Sequence, residues 1–131
     1  MRRFWLRRNL FGAEITAEVT LLDEGLHVLL SGGERAHIGA TALARGGELT
    51  MSGTFPGHKE QALCEQWALA LSQQTGGCVA VCGGIHYDNA TSEQIREILN
   101  ICNEILQQAI ETLQVGVQLI PEGPLPLQMF P

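Results

Sequence analysis

The stretch from Thr91 to Leu113 constrains the fold more than any other. Thr91 stands three residues ahead of Gln94, the spacing of a capping box, and Ile95, Ile98, Leu99, Cys102, Ile105, Leu106, Ala109 and Leu113 follow at intervals of three or four. This spacing predicts one long helix over 92–113 with a single apolar stripe. A stripe of that length needs a covering layer, and the stripe is read first as core.

The layer is legible upstream. Residues 13–22 alternate polar and apolar from Glu14 to Val19, which reads as a strand with one wet face; Asp23-Glu24-Gly25 turns the chain into a second strand, Leu26–Leu30. His37–Ala44 and Glu48–Phe55 flank Arg45-Gly46-Gly47, a tight turn that makes a second hairpin, and Pro56-Gly57 ends it. Together these predict a four-stranded antiparallel meander. His58–Gln74 carries Ala62, Leu63, Trp67, Ala70 and Leu71 at helical spacing before the stop at Gly76-Gly77, so a first helix is expected there. Cys78–Cys82 is uncharged and β-rich, as a central strand buried on both faces would be. Val115–Ile120 is expected as a last edge strand. The order β-β-β-β-α-β-α-(β) predicts an α+β fold: an antiparallel β-sheet of about five to six strands with two main helices packed on it. The expected organisation is a basic-aromatic N-terminal arm at 1–12, a single α+β domain at 13–120, and a Pro-rich C-terminal tail at 121–131.

Composition narrows the function. A chain of 131 residues with 45% hydrophobic and 17% charged side chains has room for one folded domain. The net charge of −6 hides an asymmetry, because Arg2, Arg3, Arg7 and Arg8 leave only four basic against fourteen acidic side chains from residue 9 onward. Such a body repels phosphate backbones, which argues against nucleic-acid binding. The start has the charge of a signal peptide, but Arg7-Arg8 cuts its apolar run after Phe4-Trp5-Leu6, and no run of eighteen apolar residues offers a membrane span. Cys64, Cys78, Cys82 and Cys102 form no C-x-x-C pair and are expected as buried thiols in a reducing cytoplasm.

Three histidines sit at breaks between elements: His37 in Ser31–Gly39, His58 in Phe55–Lys59 and His86 in Cys82–Asp88, each beside glycine. Glycine lets a backbone approach closely and imidazole binds anions, metals or protons near neutral pH, so the three are expected to share one pocket. His27, inside a strand, is read as structural. Pro56-Gly57-His58-Lys59 at a helix start suits a phosphate, and Gly32-Gly33 with Arg35 and His37, and Gly83-Gly84 with His86, are expected to add N–H groups as a nest. The alternative is a three-histidine metal site of His37, His58 and His86 with Asp88 behind it. A cysteine nucleophile is disfavoured, since Cys64 and Cys102 fall in helices while Cys78 and Cys82 share one face of an apolar strand. Asn89-Ala90-Thr91 reads as a turn and helix cap.

The ordered set Gly32–Gly39, then Phe55-Pro56-Gly57-His58-Lys59-Glu60, then Gly83–Asp88 with Ala90-Thr91, resembles the prenylated-flavin chaperone family of the LpdD type over roughly residues 13 to 115. That family contains the small third subunit accompanying gallate-type hydroxyarylic acid decarboxylases. The resemblance implies a non-catalytic helper that binds prenylated FMN, or FMN, and assists its delivery to a UbiD-like decarboxylase. It also implies an α+β fold similar to proteasome-assembly chaperones, in a homodimer. The matching positions are Gly33, His37, Gly39, His58, Lys59, Gly84 and His86, which Arg35 joins through its place in the first motif. Lys59 and His58 are expected at the flavin phosphate, with His37 and His86 lining the pocket. Two other readings stay open: a small histidine-site enzyme, metal-dependent or acid–base, and a ligand-free dimeric assembly scaffold.

Overall fold

In a computed structural model that describes residues 1–116, 119–120 and 122–125, the chain runs β1 (Arg2–Leu10), β2 (Ala13–Leu21), β3 (Leu26–Gly33), β4 (Ala40–Arg45), β5 (Glu48–Thr54), α1 (Gln61–Thr75), β6 (Cys78–His86), α2 (Ser92–Gln114) and β7 (Gly123–Pro124). Alternation decides which side of the sheet is buried. Phe4 and Leu6, Ile15, Ala17 and Val19, Val28 and Leu30, Ala42, and Val81 lie in register across neighbouring strands and have no more than trace exposure. The helices cover this face. Trp67, Ala68 and Leu71 of α1 and Cys102, Ile105, Leu106 and Ala109 of α2 complete the core.

The α+β class and the two main helices are as expected, but the sheet differs in two ways. It has seven strands in the order β5-β4-β6-β3-β2-β1-β7, and it is mixed, because β3 pairs with β6 and β1 with β7 in parallel. Both expected hairpins form, β2–β3 and β4–β5. They do not join into a meander, because β6 inserts between β3 and β4. The uncharged Cys78–Cys82 run takes the centre, where pairing on both edges satisfies its backbone. It is buried on one face only: Val79 and Val81 are enclosed while Ala80 and Cys82 are half-buried, since both helices occupy the same side.

The first twelve residues are not an arm outside the domain. Arg3-Phe4-Trp5-Leu6-Arg7 alternates as a strand does, with Phe4 and Leu6 in the core and Arg3 and Arg7 on the open face, 3.3 Å from Glu18 and 3.7 Å from Glu14. Phe11 and Gly12, at φ 52° and 77°, form the two-residue turn into β2. The last strand also falls elsewhere. Val115 caps α2, residues 117 and 118 of the expected Val115–Ile120 strand lie outside the described residues, and the chain joins the sheet at β7, opposite Phe4 and Trp5. Of the tail expected at 121–131, residues 122–125 are described, with Leu125 buried and its N–H donating to the Trp5 carbonyl at 2.9 Å.

The capping box of α2 is intact: Gln94 N–H donates to Thr91 Oγ1 at 3.1 Å and Thr91 N–H to Gln94 Oε1 at 2.8 Å. The stripe below it divides. From Cys102 onward it is core, but Ile95 and Leu99 stay 48% and 49% exposed. The cysteines divide as well, Cys64 and Cys102 buried as expected, Cys82 half-buried and Cys78 exposed, all four free.

Candidate functional site

Topology brings the three histidine segments together. The parallel strands β3 and β6 end side by side, with Gly33 opposite His86, so the chain must cross the end of β6 to begin β4. That crossing is the loop 34–39, which carries Arg35 and His37. Antiparallel β5 returns to the same end of the sheet, Thr54 opposite Ala40, and residues 55–60 then lead into α1 carrying His58, Lys59 and Glu60. The His37 ring centroid lies 4.8 Å from that of His58 and 6.4 Å from that of His86.

The three imidazoles border a cavity of about 620 Å³. Its lining mixes polar side chains, Arg35, His37, His58, Lys59, Glu60 and His86, with apolar ones, Leu63, Ile85, Tyr87, Ile95, Ile98 and Leu99. Of the expected glycines Gly57 lines the cavity, but Gly33, Gly39 and Gly84 do not. Each of these three makes room for a histidine of another segment: a Cβ on Gly84 would strike the His37 carbonyl, one on Gly33 the His86 carbonyl, and one on Gly39 would lie 2.9 Å from His58 Nδ1. Instead of presenting N–H groups to a ligand, Gly33, Gly39 and Gly84 let the loops close on one another.

Glu60 organises the polar part of the lining. One carboxylate oxygen lies 3.1 Å from His37 Nε2; the other accepts the Lys59 N–H at 3.0 Å and lies 3.8 Å from His58 Nδ1. The second nitrogen of His37, Nδ1, faces the Arg35 carbonyl at 3.3 Å. His86 is turned away from this cluster, its Nε2 2.7 Å from Asp88 Oδ1, and that hydrogen bond holds the Asp88 carboxyl below the usual carboxylate range. Of the three-histidine ligand set, His37 and His58 therefore remain together, and Glu60 stands where His86 was expected. One potential ligand atom from each of His37, His58 and Glu60 lies within 4.8 Å of the others.

The helix start is also altered. The α1 N-cap is Glu60, without a side-chain cap hydrogen bond, so the helix begins after His58 and Lys59, with a carboxylate at its N-cap. An anion there meets repulsion from Glu60; the exposed Arg35 and Lys59 on the rim offer it the better place, and neither forms an ion pair among the described residues. Burial, with smaller effects from Cys82, Glu60 and Glu65, pushes the Cys64 thiol up to about 12, and burial alone does the same for Cys102. Neither is a thiolate near neutral pH. His27 lies on β3 between Thr20 and Ala80, away from the cavity, as a strand-face residue.

The sequence alone assigns no role to Glu60 or to the apolar lining residues. Glu60 sits in the second motif, and its place directly after His58-Lys59 was the available signal. For Ile95, Ile98 and Leu99 there was none, because their spacing matches that of the core residues further along α2.

A family model described as the prenylated flavin chaperone LpdD-like domain matches residues 10–114. The chain is 23% identical to Protein LpdD of Lactiplantibacillus plantarum over 108 residues, 79% of each chain. The match runs from the end of β1 to the last turn of α2 and contains every residue that lines the cavity.

Proposed function

This chain belongs to the prenylated flavin chaperone LpdD-like family, and from that premise we propose that it holds prenylated FMN in the cavity at the ends of β3, β5 and β6 and hands it to a UbiD-like decarboxylase. The mixed lining of that cavity, basic and imidazole side chains beside a set of large apolar ones, carries the reading. A volume of about 620 Å³ lies within the range of small-molecule sites. Prenylated FMN is itself divided, an apolar ring system at one end and a ribityl phosphate at the other. Leu63, Ile95, Ile98 and Leu99 suit the ring system, and Arg35 and Lys59 suit the phosphate. His58 and His86 add ring nitrogens between them, while both nitrogens of His37 are turned to Arg35 and Glu60.

A homodimer belongs to the same proposal. The helices cover one face of the sheet, and β5 leaves one edge open with Leu49 and Met51 exposed, so a second copy has both a face and an edge to cover.

Titration of the purified protein with prenylated FMN and with FMN, followed by flavin fluorescence, tests the ligand. Saturable binding is expected, weakened on the order of tenfold in Lys59→Ala, since a hydrogen bond to a charged group contributes about 1.5–3 kcal/mol. Absence of binding to either flavin removes the reading. Transfer is tested by mixing flavin-loaded protein with an apo-decarboxylase of the UbiD type, which is expected to gain activity faster than with free cofactor at equal concentration.

A further inference from the structure

We propose that His37, His58 and Glu60 form a binding site for a divalent transition-metal cation such as Zn²⁺. The contacts of His37 point to it. Nδ1 faces a backbone carbonyl at 3.3 Å and Nε2 faces a carboxylate at 3.1 Å, so both ring nitrogens look at acceptors. A neutral imidazole has one N–H and satisfies only one of them. The second contact needs a positive charge between Nε2 and Glu60, either a second proton or a metal ion. A metal there takes the Nε2 lone pair and a Glu60 oxygen together, while Nδ1–H donates to the Arg35 carbonyl and fixes the tautomer, as outer-shell carbonyls do for metal-bound histidines.

The surroundings fit a cation. The side chains of His37 and Glu60 are only 19% and 13% exposed, so the attraction between the Glu60 carboxylate and a cation beside it is weakly screened. The other Glu60 oxygen is anchored by the Lys59 N–H at 3.0 Å, which holds the carboxylate in place. In a tetrahedral zinc site the ligand atoms stand about 3.3 Å apart. The His37–Glu60 pair at 3.1 Å is already close to that, and closing the set from within 4.8 Å asks for a movement of at most about 1.5 Å by His58. His58 has the freedom for it, its side chain being 35% exposed. Two imidazoles and one carboxylate select zinc, cobalt, nickel or iron over magnesium and calcium, which require more oxygen ligands. Three protein ligands leave at least one position open to the cavity that all three residues line.

The test is a Co²⁺ titration of chelator-treated protein without flavin, read by visible d–d absorption and by Zn²⁺ displacement. One Co²⁺ per chain is expected. His58→Ala and Glu60→Gln are expected to weaken it by about tenfold or more, and His27→Ala, whose imidazole lies outside the cavity, to leave it unchanged. Circular dichroism of each variant separates lost ligands from lost folding, and His58, the most exposed of the three, carries the test if Glu60→Gln does not fold. Absence of bound Co²⁺ in the wild type overturns the site. Unaltered binding in folded His58→Ala does the same, and loss in His86→Ala with retention in Glu60→Gln replaces it by the three-histidine set. Flavin binding without Co²⁺ binding removes the metal and leaves the flavin reading; the converse removes the flavin and leaves the metal.

Discussion

At Gly84 the main chain of β6 passes so close beneath the 34–39 loop that a methyl group would collide with the His37 backbone and reach within 2.8 Å of its ring. Gly84→Ala is therefore expected to destabilise the fold by on the order of 1–3 kcal/mol, as overpacking does, and to displace His37 from Glu60. Gly53→Ala, where nothing lies within 4 Å and φ is ordinary, is expected within about 0.5 kcal/mol of wild type. Urea midpoints of the two variants check the contrast. Cys102 gives a residue-scale prediction in pH. Its thiol rises from 9.0 to about 12 on burial, so above pH 9 the unfolded chain releases a proton that the folded chain keeps. The contribution is complete below that pH and is lost as pH climbs towards the folded value, so stability is expected to fall by on the order of 1 kcal/mol per pH unit in that window. The slope in urea midpoints is expected to flatten in Cys102→Ala. The pairing of glycine with histidine was legible in the sequence as the mark of a site, yet its meaning was not. Gly84 serves His37 and Gly33 serves His86, each partner coming from a different segment, and only the crossing of β6 brings them into contact.

The helix α2 performs two tasks along one stripe. Cys102, Ile105, Leu106 and Ala109 close the core, whereas Ile95, Ile98 and Leu99 stand over the cavity. Ile105→Ala is expected to cost about 2–5 kcal/mol, and Leu99→Ala, half-exposed at 49%, much less. The effect on flavin is expected to run the other way: Leu99→Ala folds normally and binds prenylated FMN more weakly, which paired thermal melts and fluorescence titrations resolve. Loss of stability in Leu99→Ala equal to that in Ile105→Ala removes the division of the stripe. The elements themselves were largely legible, because alternation, the capping box and glycine turns are local. The insertion of β6 was not, since two hairpins in succession are equally compatible with a meander and with a sheet opened for a third strand. β1 was hidden by its charge: four arginines obscured an alternation whose apolar positions, Phe4 and Leu6, are fully buried.

At the scale of the whole molecule the two edges of the sheet are treated differently. β7 covers part of the β1 edge, adding a parallel strand opposite Phe4 and Trp5. β5, the opposite edge, is exposed over most of its length, and its seven residues contain no proline and no lysine. Leu49 and Met51 stand 42% and 54% exposed on it, with Phe55 at 60% just beyond. An apolar edge with open backbone groups invites pairing, and natural sheets blunt such edges with charge, proline or a covering element. In the proposed dimer a second copy would do so, β5 against β5 about a two-fold axis, which would close the assembly instead of extending it. Light scattering coupled to size exclusion is expected to give twice the 14.2 kDa chain mass at micromolar concentration. Met51→Lys is expected to give a monomer that keeps its circular dichroism, because the side chain is outside the core. A wild-type monomer removes the dimer, and a Met51→Lys dimer moves its interface from the β5 edge to the uncovered face of the sheet.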